Sequence, residues 1–356
     1  MKQIRASAAA FRPTSRVDNM VRWLRCTLLW LRCTVLCLLA APLTVSPGFA
    51  AYPTRAITVI VPFATGGPSD TVARIIGGHL SMTLGQQLII ENVVGSGGAT
   101  AAIRAMRAPA DGYTLIMGQM GTHGSAPAVH PNLPYNPAKD FAPVGLVLEI
   151  PVVVIARNPL PVHTVAELIS HVRTHPDTTM GHAGAGSISH AACTLLEATT
   201  HVHATAKPFQ GSGPGLQAML EGRVDYMCDQ IVNSIDRIRA GEVRALVIAA
   251  DRRSPALPDV PTAAEAGIPA FDVSAWQALF APKNTPPELI ERLATALDQA
   301  LDDPTVRQEL TALAGTIPAP DERGPAALRR LVDDEIARWK KHLKPALARD
   351  DERMAP

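Results

Sequence analysis

The sequence carries no C-x-x-C pair and no zinc-ligand spacing, which removes the usual cysteine-based redox and structural-metal readings. It has no G-x-x-x-x-G-K-[ST] loop, so no nucleotide P-loop. It has no G-x-G-x-x-G followed by a ribose-binding acid, so a dinucleotide fold is not expected. No G-x-S-x-G elbow surrounds Ser96, Ser187, Ser189 or Ser212, and no cysteine has a histidine and an acid in a recognised arrangement. Aromatic residues are scarce at 4% and charged ones make up 18%, against 47% hydrophobic over 356 residues: an ordinary globular composition, long enough for one large or two medium domains. Eleven histidines raise the question of a metal, at His201 with His203 or His182 with His190, but the sequence places no third ligand beside either pair. No metal, cofactor, catalytic residue or nucleic-acid partner is therefore expected.

The near-neutral total hides two unlike parts. Residues 1–50 hold Lys2, Arg5, Arg12, Arg16, Arg22, Arg25 and Arg32 against the single acid Asp18, leaving 26 basic and 31 acidic residues beyond. Arginines, then CTVLCLLAAPLTV, then SPGFA with small residues Gly48 and Ala50, read as an export signal cleaved after Ala50. An uncleaved anchor is the alternative, and Met20 is an alternative start. Three of the five cysteines lie in this leader, so only Cys193 and Cys228 belong to the exported body. They could pair; their contexts, one helical and one strand-like, favour two buried free thiols.

From Tyr52 onward, apolar runs of strand length alternate with helical patterns, as in parallel sheet with crossover helices. The strand candidates are ITVIVP, LIIENV, YTLIMG, VGLVLEI, VVVIA, VDYMCD and ALVIAA. Helices are read from Val72, Ile75, Ile76 and Leu80, from capping boxes at Thr164–Glu167 and Thr285–Glu288, and from an apolar stripe of Leu328, Leu331, Val332, Ile336 and Trp339. Extended, interrupted stretches around Pro151 and Trp276 read as two crossings between lobes. The expected architecture is α/β with two lobes, each a mostly parallel sheet flanked by helices: residues 52–150 with 275–345, and residues 151–274, with a cleft and hinge between.

Three loops point to a small anion. In ATGGPSD, Gly66 and Gly67 leave backbone N–H groups unshielded at the mouth of a helix, with Asp70 in its first turn. A plain tight turn is the alternative. GHAGAGSISH adds Gly186, Ser187 and Ser189 at a second helix start, and GQMGTHGSAP brings Gln119, Thr122 and His123 to a strand's carboxyl end, where ligands sit in open α/β sheets. None of these loops carries an arginine, which implies recognition of a carboxylate by backbone and hydroxyl dipoles. Asp229 ends the VDYMCD strand, from where it could bind a ligand's amine or hydroxyl, hold a water or cap the next turn.

YPTRAITVIVPFATGGPSDTVARIIG, APADGYTLIMG, LPYNPAKDFAPVGLV, RSPALPDVPTAAEAGIP and LFAPKNTPPELIERL, in this order, resemble the extracytoplasmic receptors of tripartite tricarboxylate transporters, the Bug family, from about Tyr52 to His342. The resemblance implies a periplasmic binding protein of type II-like form, acting as a monomer without catalysis. It would close on a small organic acid (a di- or tricarboxylate, an aromatic or another acid) and deliver it to membrane permease subunits. A two-component ligand sensor and a metal-dependent periplasmic hydrolase are the competing readings. Carried over by motif, the ligand residues are Phe63, Ala64, Gly66, Gly67 and Asp70, then Met120 and Thr122, then Gly186, Ser187 and Ser189, with Asp229 at the acidic strand end. Two departures stand out. A proline, tyrosine, basic residue and glycine run reads Pro208, Phe209, Gln210, Gly211, and ENRPGAGG reads ENVVGSGG.

Overall fold

The computed structural model describes residues 52–354, together with Met20 and Trp23, and side chains through Leu343. The expected leader, with Cys26, Cys33, Cys37 and the cleavage position, lies outside the described residues. In chain order the elements are β1 (Ile57–Val61), α1 (Pro68–Leu84), β2 (Leu88–Asn92), α2 (Ala99–Met106), β3 (Thr114–Gln119), a π-helical turn (Met120–Ser125), α3 (Ala126–Val129) and β4 (Phe141–Arg157). There follow α4 (Val165–Thr174), β5 (Thr179–His182), α5 (Ile188–Thr200), β6 (Thr205–Pro208), α6 (Ser212–Leu220), β7 (Tyr226–Gln230), α7 (Ile231–Arg239) and β8 (Val243–Ala249). The chain closes with β9 (Ser274–Pro282), α8 (Pro287–Asp302), α9 (Pro304–Ala312), α10 (Pro320–Arg323) and α11 (Pro325–Met354). Among the described residues, no helix is long and apolar enough to cross a membrane.

The fold is mixed α/β. Its strands run in the order β2-β1-β3-β9-β4-β7-β5-β6, with β8 also paired to β4. The outer pairs β1–β2, β1–β3, β5–β6 and β5–β7 are parallel, as the alternation of runs and helices requires. The middle is antiparallel, because β9 and β4 thread through it. The runs VGLVLEI and VVVIA, expected as separate strands, are one strand. Its residues up to Pro151 pair with β9, and those from Val152 pair with β7 and β8. Pro151 has no N–H to donate, and it sits where the strand exchanges partners, a place a ladder tolerates it. The stretch around Trp276, expected to be extended, is strand β9.

Local rules account for the helices. Val72, Ile76 and Leu80 of α1 are buried against the sheet, and the helix ends at Gly85 in the left-handed region (φ 68°). Thr164 caps α4 as its spacing predicts, with Glu167 N donating to its Oγ1 at 3.1 Å. Thr285 does not cap α8: its hydroxyl donates to the Pro282 carbonyl (2.7 Å), and the helix begins two residues later. Leu328, Val332 and Trp339 of α11 reach the main core beside Trp276 and Phe280.

The expectation of two free thiols is overturned. Cys193 on α5 and Cys228 in β7 form a disulfide, both residues fully buried. The helix lies directly on that strand and brings the two Cα atoms to 5.4 Å, inside the range a disulfide spans.

Candidate functional site

The carboxyl ends of β1, β3, β5, β6 and β7 gather around one cleft of about 390 Å³, its open mouth included. Phe63, Ala64, Thr65, Gly67, Pro68 and Ser69 line it from the β1–α1 turn, and Gln119 from the end of β3. Ala183, Ser187, Ile188 and Ser189 come from the β5–α5 turn, Gly211, Ser212, Gly213 and Pro214 from the start of α6, and Gln230 from the end of β7. No ionisable side chain is among these residues.

The polarity of the cleft comes from three helix starts. A helix leaves its first N–H groups without intrahelical acceptors and carries about half a positive charge at that end. Here those groups are the amides of Ser69 and Asp70 on α1, of Ile188 and Ser189 on α5, and of Ser212 and Gly213 on α6, with no acceptor among the described residues. Pro68 and Pro214 supply no N–H and pre-set the helical φ. Ser187 caps α5, accepting the His190 amide at 3.3 Å and lying 3.1 Å from the Ser189 hydroxyl, which in turn accepts the Ala183 amide at 2.8 Å. Gln119 Oε1 accepts the Gly121 amide, so its Nε2 is the atom left to face a ligand. Beneath lies a buried relay: the Ser69 hydroxyl donates to Gln277 Oε1, and Gln277 Nε2 donates to Gln230 Oε1, both at 2.9 Å.

Of the residues named from sequence, Phe63, Ala64, Gly67, Ser187 and Ser189 line this cleft; Gly66, Asp70, Met120, Thr122, Gly186 and Asp229 are not among its lining. The amides of the glycine pair are already used. Gly66 N donates to Asp70 Oδ2 (2.9 Å) and Gly67 N to the Ala64 carbonyl (3.3 Å). Asp70 also accepts from Arg74 and from Asn92. Burial raises its pKa, but the Arg74, Gly66 and Asn92 bonds outweigh that and hold its carboxyl below the usual range. This side chain is a brace that shapes the turn. Met120 is a core residue. Thr122 bonds inside its own turn, to Gln119 and to His123 Nδ1 (2.9 Å), and Gly186 N donates to His190 Nδ1 (3.4 Å).

Asp229 is fully buried, accepting from the Gln230 amide at 2.9 Å and from Asn233. Burial lifts its pKa to about 6 against the pull of the Asn233, Ser212 and Gln230 bonds. It fixes Ser212 and Gln230, which do line the cleft. His182 and His190, with rings 4.6 Å apart, accept the amides of Gly184 and Gly186 through Nδ1. Burial lowers both pKa values, that of His190 to about 3, helped by His182 and His130, so the pair stays neutral. Among the described residues, no three His, Cys, Asp or Glu side chains are grouped to hold a metal ion.

The residues the sequence reading missed are those of the third helix start, Gly211 to Pro214, with Ser69, Ile188 and Gln230. One signal was present: GSGPG repeats the grammar of GGPSD, small residues and a proline at the opening of a helix. Gln277 bonds Ser69 from 208 positions away and offered none.

A cleft of inward helix starts between α/β layers is a recurrent architecture, and comparison with known proteins places this instance of it. MatC from Rhodopseudomonas palustris, solved with bound malate, is 50% identical with a TM-score of 0.81, over 82% of this chain and 100% of that one. A second R. palustris protein, Rpa4515, solved with adipate, is 36% identical (TM-score 0.78; 83% and 98%). The periplasmic binding protein BugD is 34% identical (TM-score 0.79; 83% and 98%). The model of the tripartite tricarboxylate transporter family receptor matches residues 72–346. Family receptors of this kind are periplasmic solute-binding proteins that work with membrane permeases. With nearly its whole described length matched, this chain belongs to the tripartite tricarboxylate transporter receptor family.

Proposed function

We propose that this protein is a periplasmic receptor that captures a small dicarboxylate and presents it to the membrane subunits of a tripartite-type transporter, without catalysis. One observation carries the reading: three helix starts, with the amides of Ser69, Ile188, Ser189, Ser212 and Gly213 and with no ionisable side chain, meet in one cleft. Such a site stabilises a negative charge by fixed dipoles. Residues 52–150 with 275–345 form one lobe and 151–274 the other, closing about β4 and β9, and the arginine-rich leader directs export. The malate and adipate of the two R. palustris proteins indicate the ligand class.

Calorimetric titration of the exported body tests this. Malate or adipate is expected to bind, and the corresponding uncharged diamide to bind about 100-fold more weakly, since three termini at about 1 kcal/mol each give roughly 3 kcal/mol. Equal affinity for acid and diamide would defeat the dipole argument. The Ser187→Ala variant removes a cleft hydroxyl and the α5 cap; it is expected to weaken dicarboxylate binding by about 0.5–3 kcal/mol and stability by about 1 kcal/mol. An unaltered titration curve would remove Ser187 from the site.

A further inference from the structure

The run GSGG, Gly95 to Gly98, lies outside the cleft lining, yet its backbone is pressed against the loop that carries Ser187. A Cβ placed on Gly97 would stand 1.8 Å from the Ala185 carbonyl oxygen and 3.2 Å from Ser187 N. One placed on Gly184 would stand 2.8 Å from Gly97 N. A Cβ on Gly121 would lie 2.8 Å from both the Gly186 carbonyl oxygen and Ile188 N, and one on Gly186 would lie 2.8 Å from His130 Nε2. His130 closes the set by donating from Nε2 to the Ala185 carbonyl at 3.1 Å. Gly97, Gly121 and His130 belong to three separate segments of residues 52–150, and all meet residues 184–188.

We propose that these contacts are a backbone latch: residues 95–98, Gly121 and His130 seat the 184–188 loop only when the cleft is shut, and so set the closed position of α5. The proposal rests on the two-lobe reading above. Seating that loop brings the Ile188 and Ser189 amides opposite those of α1, so ligand and latch favour the same state and each strengthens the other. Glycine is required at Gly97 twice over. Its φ of 60° is left-handed, and no side chain fits against Ala185. The conformational strain of an alanine there acts whether the cleft is open or shut, whereas the clash acts only on closing.

The test is small-angle scattering and amide exchange on wild type, Gly97→Ala and His130→Ala, with malate as the probe. Wild type is expected to become more compact on adding malate. Gly97→Ala is expected not to compact and to bind malate at least tenfold more weakly. His130→Ala, which alters no turn, is expected to bind roughly threefold to tenfold more weakly. In malate-saturated protein both variants are expected to exchange the amides of residues 184–187 faster than wild type. Compaction of Gly97→Ala like that of wild type would overturn the latch, as would unchanged exchange at 184–187 in both variants. Failure of wild type to bind malate would count against the ligand class alone, and adipate would then serve as the probe for the same comparison. Should Gly97→Ala not fold, His130→Ala decides it.

Discussion

Removing the Cys193–Cys228 bond is expected to cost about 4 kcal/mol of folding free energy, the largest single effect among the substitutions considered. The bond closes a loop of 35 residues, and the chain-entropy relation gives roughly 3.8 kcal/mol for that length at 25 °C. Midpoint temperature should then fall by roughly 6 °C in a chain of this size. The comparison to make is thermal melting of wild type and a Cys193→Ala/Cys228→Ala double variant, which avoids the slow access of reductant to two buried sulfurs. A double variant within about 1 kcal/mol of wild type would mean that the loop is equally constrained without the bond. The bond also matters to the cleft. It ties the body of α5, whose first turn lines the cleft, to the strand that ends in Asp229 and Gln230. Slackening it should therefore lower dicarboxylate affinity as well as stability.

The elements with strong local signals were legible and those defined by distant partners were not. Buried on both faces, the runs ITVIVP and YTLIMG announced themselves by uninterrupted apolarity. Strand β6, four residues with three exposed, has no such run, and so the helix start after it, Gly211 to Pro214, went unread as part of the site. The loop ATGGPSD is the mouth of a helix, as its glycines and proline predict, but the amides of Gly66 and Gly67 are taken up inside the turn. An aspartate four residues past Gly66 folds back and takes that amide, and only the structure shows that bond. The pairing of cysteines 35 residues apart depends on α5 lying on β7, a tertiary fact with no local trace. Pro151 looked like an interruption because proline breaks a ladder; the strand continues because its partner changes at that residue.

Stability is expected to fall as pH is lowered from 7 to 5, and His123 is where this can be measured. The residue is fully buried, stacked on Phe280 with ring centroids 4.1 Å apart, and its Nε2 has no hydrogen-bond partner. Burial drives its pKa down to about 3. It therefore stays neutral in the folded protein while the unfolded chain takes up a proton below about pH 6.5. A base with a depressed folded pKa stabilises fully above its unfolded value and loses that contribution as pH falls. Between pH 7 and 5 the loss from His123 is about 2 kcal/mol. His190, also held to about 3, adds up to about 2 kcal/mol more. Asp229 opposes them: with a folded pKa raised to about 6, it binds its proton more readily in the fold and returns about 1 kcal/mol over the same interval. For these three groups the balance is a net loss of roughly 2–3 kcal/mol; His182, lowered by burial, adds to it, and Glu149, raised by burial, opposes it. Denaturant midpoints at pH 7 and pH 5 check the sum, and His123→Phe checks its main part. Phenylalanine keeps the stack, removes the orphaned nitrogen and forfeits only the bond to Thr122, so stability at pH 7 should change by less than about 1.5 kcal/mol. The difference between the two pH values should shrink by about 2 kcal/mol. A variant whose pH dependence matches that of wild type would show that this imidazole is not what couples folding to protons.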